Sequence, residues 1–72
     1  VGGVHSTEKL MARRVGTRIW IDLHVQADAT MSLHDAHALG HKVKRAICET
    51  FPLVENVLVH MEPADTPDVR PP

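Results

Sequence analysis

Asp22 and His24 stand one residue apart in the alternating stretch Ile19-Trp20-Ile21-Asp22-Leu23-His24-Val25-Gln26. Near the other end, Val57-Leu58-Val59-His60-Met61-Glu62 repeats the arrangement. Side chains of a strand alternate between its faces, so Asp22 shares a face with His24 and His60 shares one with Glu62. Carboxylate and imidazole are donors for Zn, Mn, Fe or Co. Two such pairs on two strands can converge on one divalent ion. The competing reading is a solvated outer sheet face, where polar residues belong in any case. The spacing does not say whether the two strands adjoin.

Other side chains offer weaker chemistry. His37 lies at the edge of an apolar helical stripe, where a histidine is more often a hydrogen-bonded, partly buried side chain than a ligand. His34 and His41 lie about one turn either side of it. Histidines three and four residues apart can chelate a metal on one helix, but the commoner outcome is a solvated face. His5 and Glu8 fall on a weakly patterned segment, and either can complete a site without any spacing that demands it. Cys48 reads as a half-buried helical residue whose thiolate would suit soft metals. Trp20 reads as a packing or interface residue.

Composition narrows the classes. Seventy-two residues with 43% apolar content make one small domain. Chains of this size bury only about 60% of their unfolded surface and need added support, whether a metal, a partner chain or a flanking segment. A formal net charge of −1 gives no basic surface for nucleic acid. The single cysteine excludes an internal disulfide and fits a reducing, cytosolic setting. No apolar run reaches the length of a membrane span, and no signal peptide is visible. The chain opens on Val1-Gly2-Gly3 without an initiator methionine, which predicts a fragment of a longer protein. Catalysis finds no support: there is no nucleophile triad context, no phosphate-binding glycine loop and no deaminase signature. A domain this small also rarely makes a deep pocket.

The elements that must position these residues follow from periodicity. Residues 5–15 read weakly as a strand with no clean period, and Gly16-Thr17 is a turn. Residues 18–26 are the clearest strand, with Ile19, Ile21, Leu23 and Val25 inward and Trp20, Asp22, His24 and Gln26 outward; the two strands form a hairpin. Ala27 to Met31 is a loop. Ser32 is the N-cap of a helix over 33–50, with Asp35 in capping-box position. Leu33, Ala36, Leu39, Gly40, Val43, Ala46 and Ile47 form its apolar stripe, and Pro52 ends it. Residues 54–62 are the last strand, with Val57, Val59 and Met61 on one face and Leu58, His60 and Glu62 on the other. Residues 1–63 thus form the domain, and 64–72 a Pro-rich tail expected to be disordered. The fold class is α+β, one helix on one face of a small sheet. The outward face, with Trp20 beside Leu58, is the expected dimer surface.

Three segments carry a family resemblance. They are Arg13-Arg14-Val15-Gly16-Thr17-Arg18-Ile19-Trp20-Ile21-Asp22-Leu23-His24, Met31-Ser32-Leu33-His34-Asp35-Ala36-His37 and Val57-Leu58-Val59-His60-Met61-Glu62-Pro63. In this order the chain resembles the C-terminal cytosolic domain of cation diffusion facilitator transporters over residues 4–63. The resemblance implies a ferredoxin-like, metallochaperone-like β-β-α-β fold that lacks the family's first helix. It implies a V-shaped homodimer on the cytoplasmic side of a membrane, below the transmembrane domain of the same transporter, closing when metal binds. The implied ligands are His24, His37, His60 and Glu62, joined in some branches by an acid at the position of Asp22. Glu8 falls near a further family ligand, usually a histidine in zinc exporters. The Ile-Trp-Ile-Asp strand resembles the magnetosome branch, which handles iron.

The reading is therefore a regulatory, dimerising sensor domain for a divalent metal (Zn, Fe, Mn or Cu) rather than an enzyme. Two rivals remain. One is a free-standing metallochaperone, disfavoured because such domains usually present a Cys-x-x-Cys loop. The other is a metal-independent dimerisation module, or a docking site for partner proteins, using Trp20 and the Pro-rich tail.

Overall fold

The computed structural model describes residues 2–64. Four elements follow in chain order: β1 (Val4–Val15), β2 (Arg18–Ala27), α1 (Leu33–Thr50) and β3 (Val54–Pro63). The three strands form one mixed sheet in the order β1-β2-β3. β1 and β2 are antiparallel, with Val15 opposite Arg18 across the turn. Gly16 has φ 61° while Thr17 stays out of the positive region, the pattern of a II′ turn, whose first central position favours glycine. β2 and β3 are parallel, which requires a crossover, and α1 provides it.

The helix starts where the sequence predicts. The Ser32 hydroxyl accepts from the Asp35 amide at 3.0 Å, satisfying one of the four amides a helix start leaves unpaired. It ends with the Phe51 amide bonded to the Ile47 carbonyl, just before Pro52, which cannot continue it. Its apolar stripe packs on the inner face of β2 and β3. Leu23, Val25 and Val43 form the buried centre, flanked by Val4, Ile21, Ile47, Val59 and Met61. Val25 is fully buried, which by transfer energies contributes about 1.5–3 kcal/mol. Trp20, Asp22, His24 and Gln26 face away from the helix, as the alternation requires.

One member of the expected stripe does not reach the core: Leu33 is 90% exposed. It is the first helical residue, and helical side chains lean towards the N-terminus. At that position the side chain projects beyond the helix start instead of onto the sheet.

β1 explains its own weak pattern. Its register against β2 slips twice, between Val4 and Ser6 and between Glu8 and Met11. Each slip inserts an extra residue, and Lys9 takes φ 54° at the second. A bulge of this kind breaks period two. The helix leaves the β1 side of the inner face uncovered. An apolar groove of about 430 Å³ remains there, lined by Leu10, Ala12, Ile19, Ile21 and Phe51 among others. The Ala64 amide bonds to the Ala27 carbonyl. The tail expected from there on lies, past Ala64, outside the described residues.

Candidate functional site

The parallel pairing of β2 with β3 decides which donors meet. His24 is the register partner of His60, and Gln26 that of Glu62. All four side chains point outward, so the two strands do adjoin and their polar faces merge. His24 and His60 stack with ring centroids 4.5 Å apart and planes at 11°. His24 Nδ1 lies 2.5 Å from Glu62 Oε2. An ionised carboxylate only accepts, so Nδ1–H donates, leaving Nε2 of His24 as the free lone-pair nitrogen. Both partners are half-buried, with side chains 24% and 32% exposed. That hydrogen bond from His24 holds the Glu62 carboxyl below the usual carboxylate range. The charge of Lys9 helps, as do those of His24 and His60 when they are protonated, against a desolvation that works the other way.

β1 adds a third column to this face. Glu8 stands opposite His24, and the Gln26 amide donates to it at 2.5 Å. The Ser6 hydroxyl in turn donates to the Gln26 carbonyl oxygen at 2.9 Å. Glu8, His24 and His60 thus form one row across the sheet. The bulge at Lys9 and Leu10 puts Glu8 and Met11 on the same face, which simple alternation along β1 could not foretell. Gln26 was visible as an outward residue, but its role as a tether for Glu8 was not.

Asp22 shares the face and sits in the next row, between Met11 and Leu58. With Trp20, Met11 and Arg13 it borders a shallow hollow of about 110 Å³. Met11 is 70% exposed, Leu58 54% and Trp20 37%, an apolar group beside the charged row.

His37 is elsewhere. It lies on α1 and lines a groove of about 180 Å³ with Gly40, His41, Lys44, Val57, Val59 and Met61. Those strand residues belong to the inner face, so the sheet separates His37 from His24, His60 and Glu62. Its neighbour is His41, with Nε2 atoms 2.9 Å apart. Among the described residues His34, His5 and Asp22 make no side-chain hydrogen bond, and Cys48 is a free, half-buried thiol. Among the described residues, no three His, Cys, Asp or Glu side chains are arranged to close on one ion. The sheet face supplies a pair of imidazoles and an oriented carboxylate, and a complete coordination shell needs donors from outside this cluster.

The chain can be set beside known proteins on this geometry. A family model described as the cytoplasmic domain of cation efflux proteins matches residues 1–64. Metal tolerance protein C1 of Arabidopsis thaliana is 36% identical over 64 residues, 89% of this chain and 14% of that protein. The cation-efflux pump FieF of Yersinia pestis is 36% identical over 61 residues, 85% of this chain and 20% of the pump. The chain therefore spans only a small part of the curated relatives it matches. Among solved structures, the metal-bound C-terminal domain of the CzcD transporter from Thermotoga maritima superposes with a TM-score of 0.85 at 31% identity, covering 93% of this chain and 78% of that one. The nickel form of a MamM C-terminal domain variant gives a TM-score of 0.86 at 29% identity, covering 90% and 82%.

Proposed function

This chain belongs to the cytoplasmic-domain family of cation efflux proteins, and on that premise we propose that it is the metal-sensing, dimerising regulatory domain of a divalent-cation transporter. The proposed ligands are His24, His60 and Glu62 on the outer sheet face, with Asp22 from the next row and His37 from the helix. The carrying observation is the His24–Glu62 hydrogen bond beside the stacked His60. Metal-ligating histidines almost always donate their second ring N–H to a carboxylate or carbonyl, which fixes the tautomer and raises basicity. His24 is held that way, with Nε2 free. Glu62 then acts as orienting partner, as ligand through its second oxygen, or both.

The donor set suits Zn, Fe, Mn or Cu, and likeness to nickel-bound and otherwise metal-bound domains supports a divalent ion. Once bound, such an ion would supply positive charge that neutralises the carboxylates. Asp22 and Glu62 would otherwise repel their counterparts across a two-fold interface formed by Trp20 and Leu58. His37, behind the sheet, would join only by meeting a second chain or a separate ion. Regulation follows if the closed dimer binds metal better than the open one, because only differential affinity shifts a conformational equilibrium. The transmembrane partner, the cytoplasmic side and closure of a V-shaped dimer belong to this proposal, as does a magnetosome-membrane setting suggested by the MamM likeness.

The test uses Trp20, the only tryptophan, which shares the outer face with His24. Titration of Zn²⁺, Mn²⁺, Fe²⁺ and Cu²⁺ into the chain should give a saturable fluorescence change, lost in His24→Ala. Silence with every ion, with no heat of binding by calorimetry, would leave a second reading: metal-independent dimerisation, which the exposed Met11, Trp20 and Leu58 favour.

A further inference from the structure

We propose that His37 and His41 form a second, helix-borne metal site, separate from the sheet face and selective for transition ions that bind imidazole. This rests on the reading of His37 as a ligand and adds His41, which that reading leaves idle. The two residues are four apart on α1, so their side chains stand one above the other. Their rings meet edge to face with centroids 4.5 Å apart, and Nε2 of one lies 2.9 Å from Nε2 of the other. Two nitrogens bound to one tetrahedral Zn²⁺ at about 2.0–2.1 Å sit roughly 3.3–3.4 Å apart. A small rotation of two exposed rings converts the hydrogen-bonded pair into a chelating one. The imidazole that now donates its Nε2 proton would carry it on Nδ1 instead, exchanging through water, so both lone pairs become available.

The surroundings set the selectivity. Beyond the two histidines, the groove holds Gly40, Lys44, Val57, Val59 and Met61. Among the described residues no carboxylate lines it, so Mg²⁺ and Ca²⁺, which need several oxygen ligands, find none there. Among the described residues Lys44 is its only other charged group, and it repels any cation, so binding depends on imidazole bonds rather than on field. Zn²⁺, Ni²⁺, Co²⁺ and Cu²⁺ form such bonds. Two protein ligands leave the remaining positions to water or to a second chain. The inner-face strand residues put this groove on the far side of the sheet from His24, so the two sites bind separate ions.

The experiment is calorimetric titration of Zn²⁺ into the 72-residue chain and three variants, with folding checked by circular dichroism. His24→Ala/His60→Ala should keep one site per chain. Adding His41→Ala should weaken that site at least about tenfold. His41→Ala alone, at an exposed helical position where alanine is favourable, should remove one site and leave the His24-dependent one. ¹⁵N spectra should show Zn²⁺ at Nε2 of both His37 and His41. The inference is overturned if His24→Ala/His60→Ala abolishes all binding that the unmodified chain shows, an outcome that leaves the sheet-face reading intact. It is also overturned if His41→Ala changes neither stoichiometry nor affinity. Absence of any Zn²⁺ binding to the unmodified chain would sink both readings together.

Discussion

The molecule holds two histidine pairs with the same 4.5 Å centroid separation and different origins. His24 and His60 lie 36 residues apart in the chain, meet only because β2 and β3 pair in parallel, and stack face to face. His37 and His41 are four residues apart on one helix and meet edge to face. The sheet pair comes with a carboxylate that fixes one tautomer; among the described residues the helix pair has only its own mutual hydrogen bond and a nearby Lys44. A site built by long-range pairing can thus be pre-oriented by residues from several strands. A site built by helical spacing is cheap to encode but receives no such orienting partner.

The sharpest way to break this contrast is to remove the orienting charge. Glu62→Gln keeps an acceptor for His24 Nδ1–H but removes the anion. Loss of such an orienting partner typically costs 10–100-fold in affinity, so Zn²⁺ binding at the sheet face should fall by about 10–100-fold. The helix pair should be unaffected. Calorimetry that resolves both sites would show this directly; equal losses at the two would mean they are one site.

The same contrast explains what was legible in the residues. β2, α1 and β3 follow strict periods, and their predicted bounds agree with the structure to within a residue at each end. The facing of His24, His60 and Glu62 followed from parity alone. Their adjacency did not, because a parallel pairing through a helical crossover leaves no local trace. β1 was faint for two physical reasons: its bulges break the alternation, and the helix leaves most of it uncovered, so burial does not impose a pattern. Glu8 was a candidate there, but no spacing in that unpatterned stretch could place it opposite His24. Leu33 misled because helical spacing ignores where the helix starts. His41 carried a readable signal, the four-residue step from His37, which the commoner solvated-face outcome outweighed.

Ser32→Ala tests the helix side of the comparison. Replacing a serine N-cap with alanine costs about 1 kcal/mol, since the Asp35 amide loses its acceptor. Chemical denaturation should show that loss of stability, and hydrogen exchange should show faster exchange at Asp35 and the first helical turn. His37 lies in the second turn, so Zn²⁺ affinity at the helix pair should decline more than at the sheet pair, whose strands keep their register. Equal protection of the Asp35 amide in both proteins would show that the hydroxyl is not the cap in solution.

The smallest effect concerns acid. The His24 hydrogen bond lowers the Glu62 pKa in the folded chain. The folded value then lies below the unfolded one, near about 4.3 for an ordinary glutamate. Between those values the unfolded chain binds more protons, so stability falls as pH falls. The contribution is complete above the unfolded value and gone once pH has dropped through the folded one. His24→Ala removes the principal cause, so the Glu62 carboxyl should titrate nearer its ordinary value and the acid limb of stability should flatten. Asp28 provides an internal control. Its pKa is also lowered, chiefly by the Thr30 hydroxyl at 2.6 Å and the Thr30 amide at 2.8 Å, and neither depends on His24. Carboxyl carbon titration by NMR, without metal, should therefore move Glu62 and leave Asp28 in place. A Glu62 midpoint already at the ordinary value in the unmodified chain would mean that His24 is not oriented before metal arrives. The two histidine pairs would then differ in origin but not in readiness to bind.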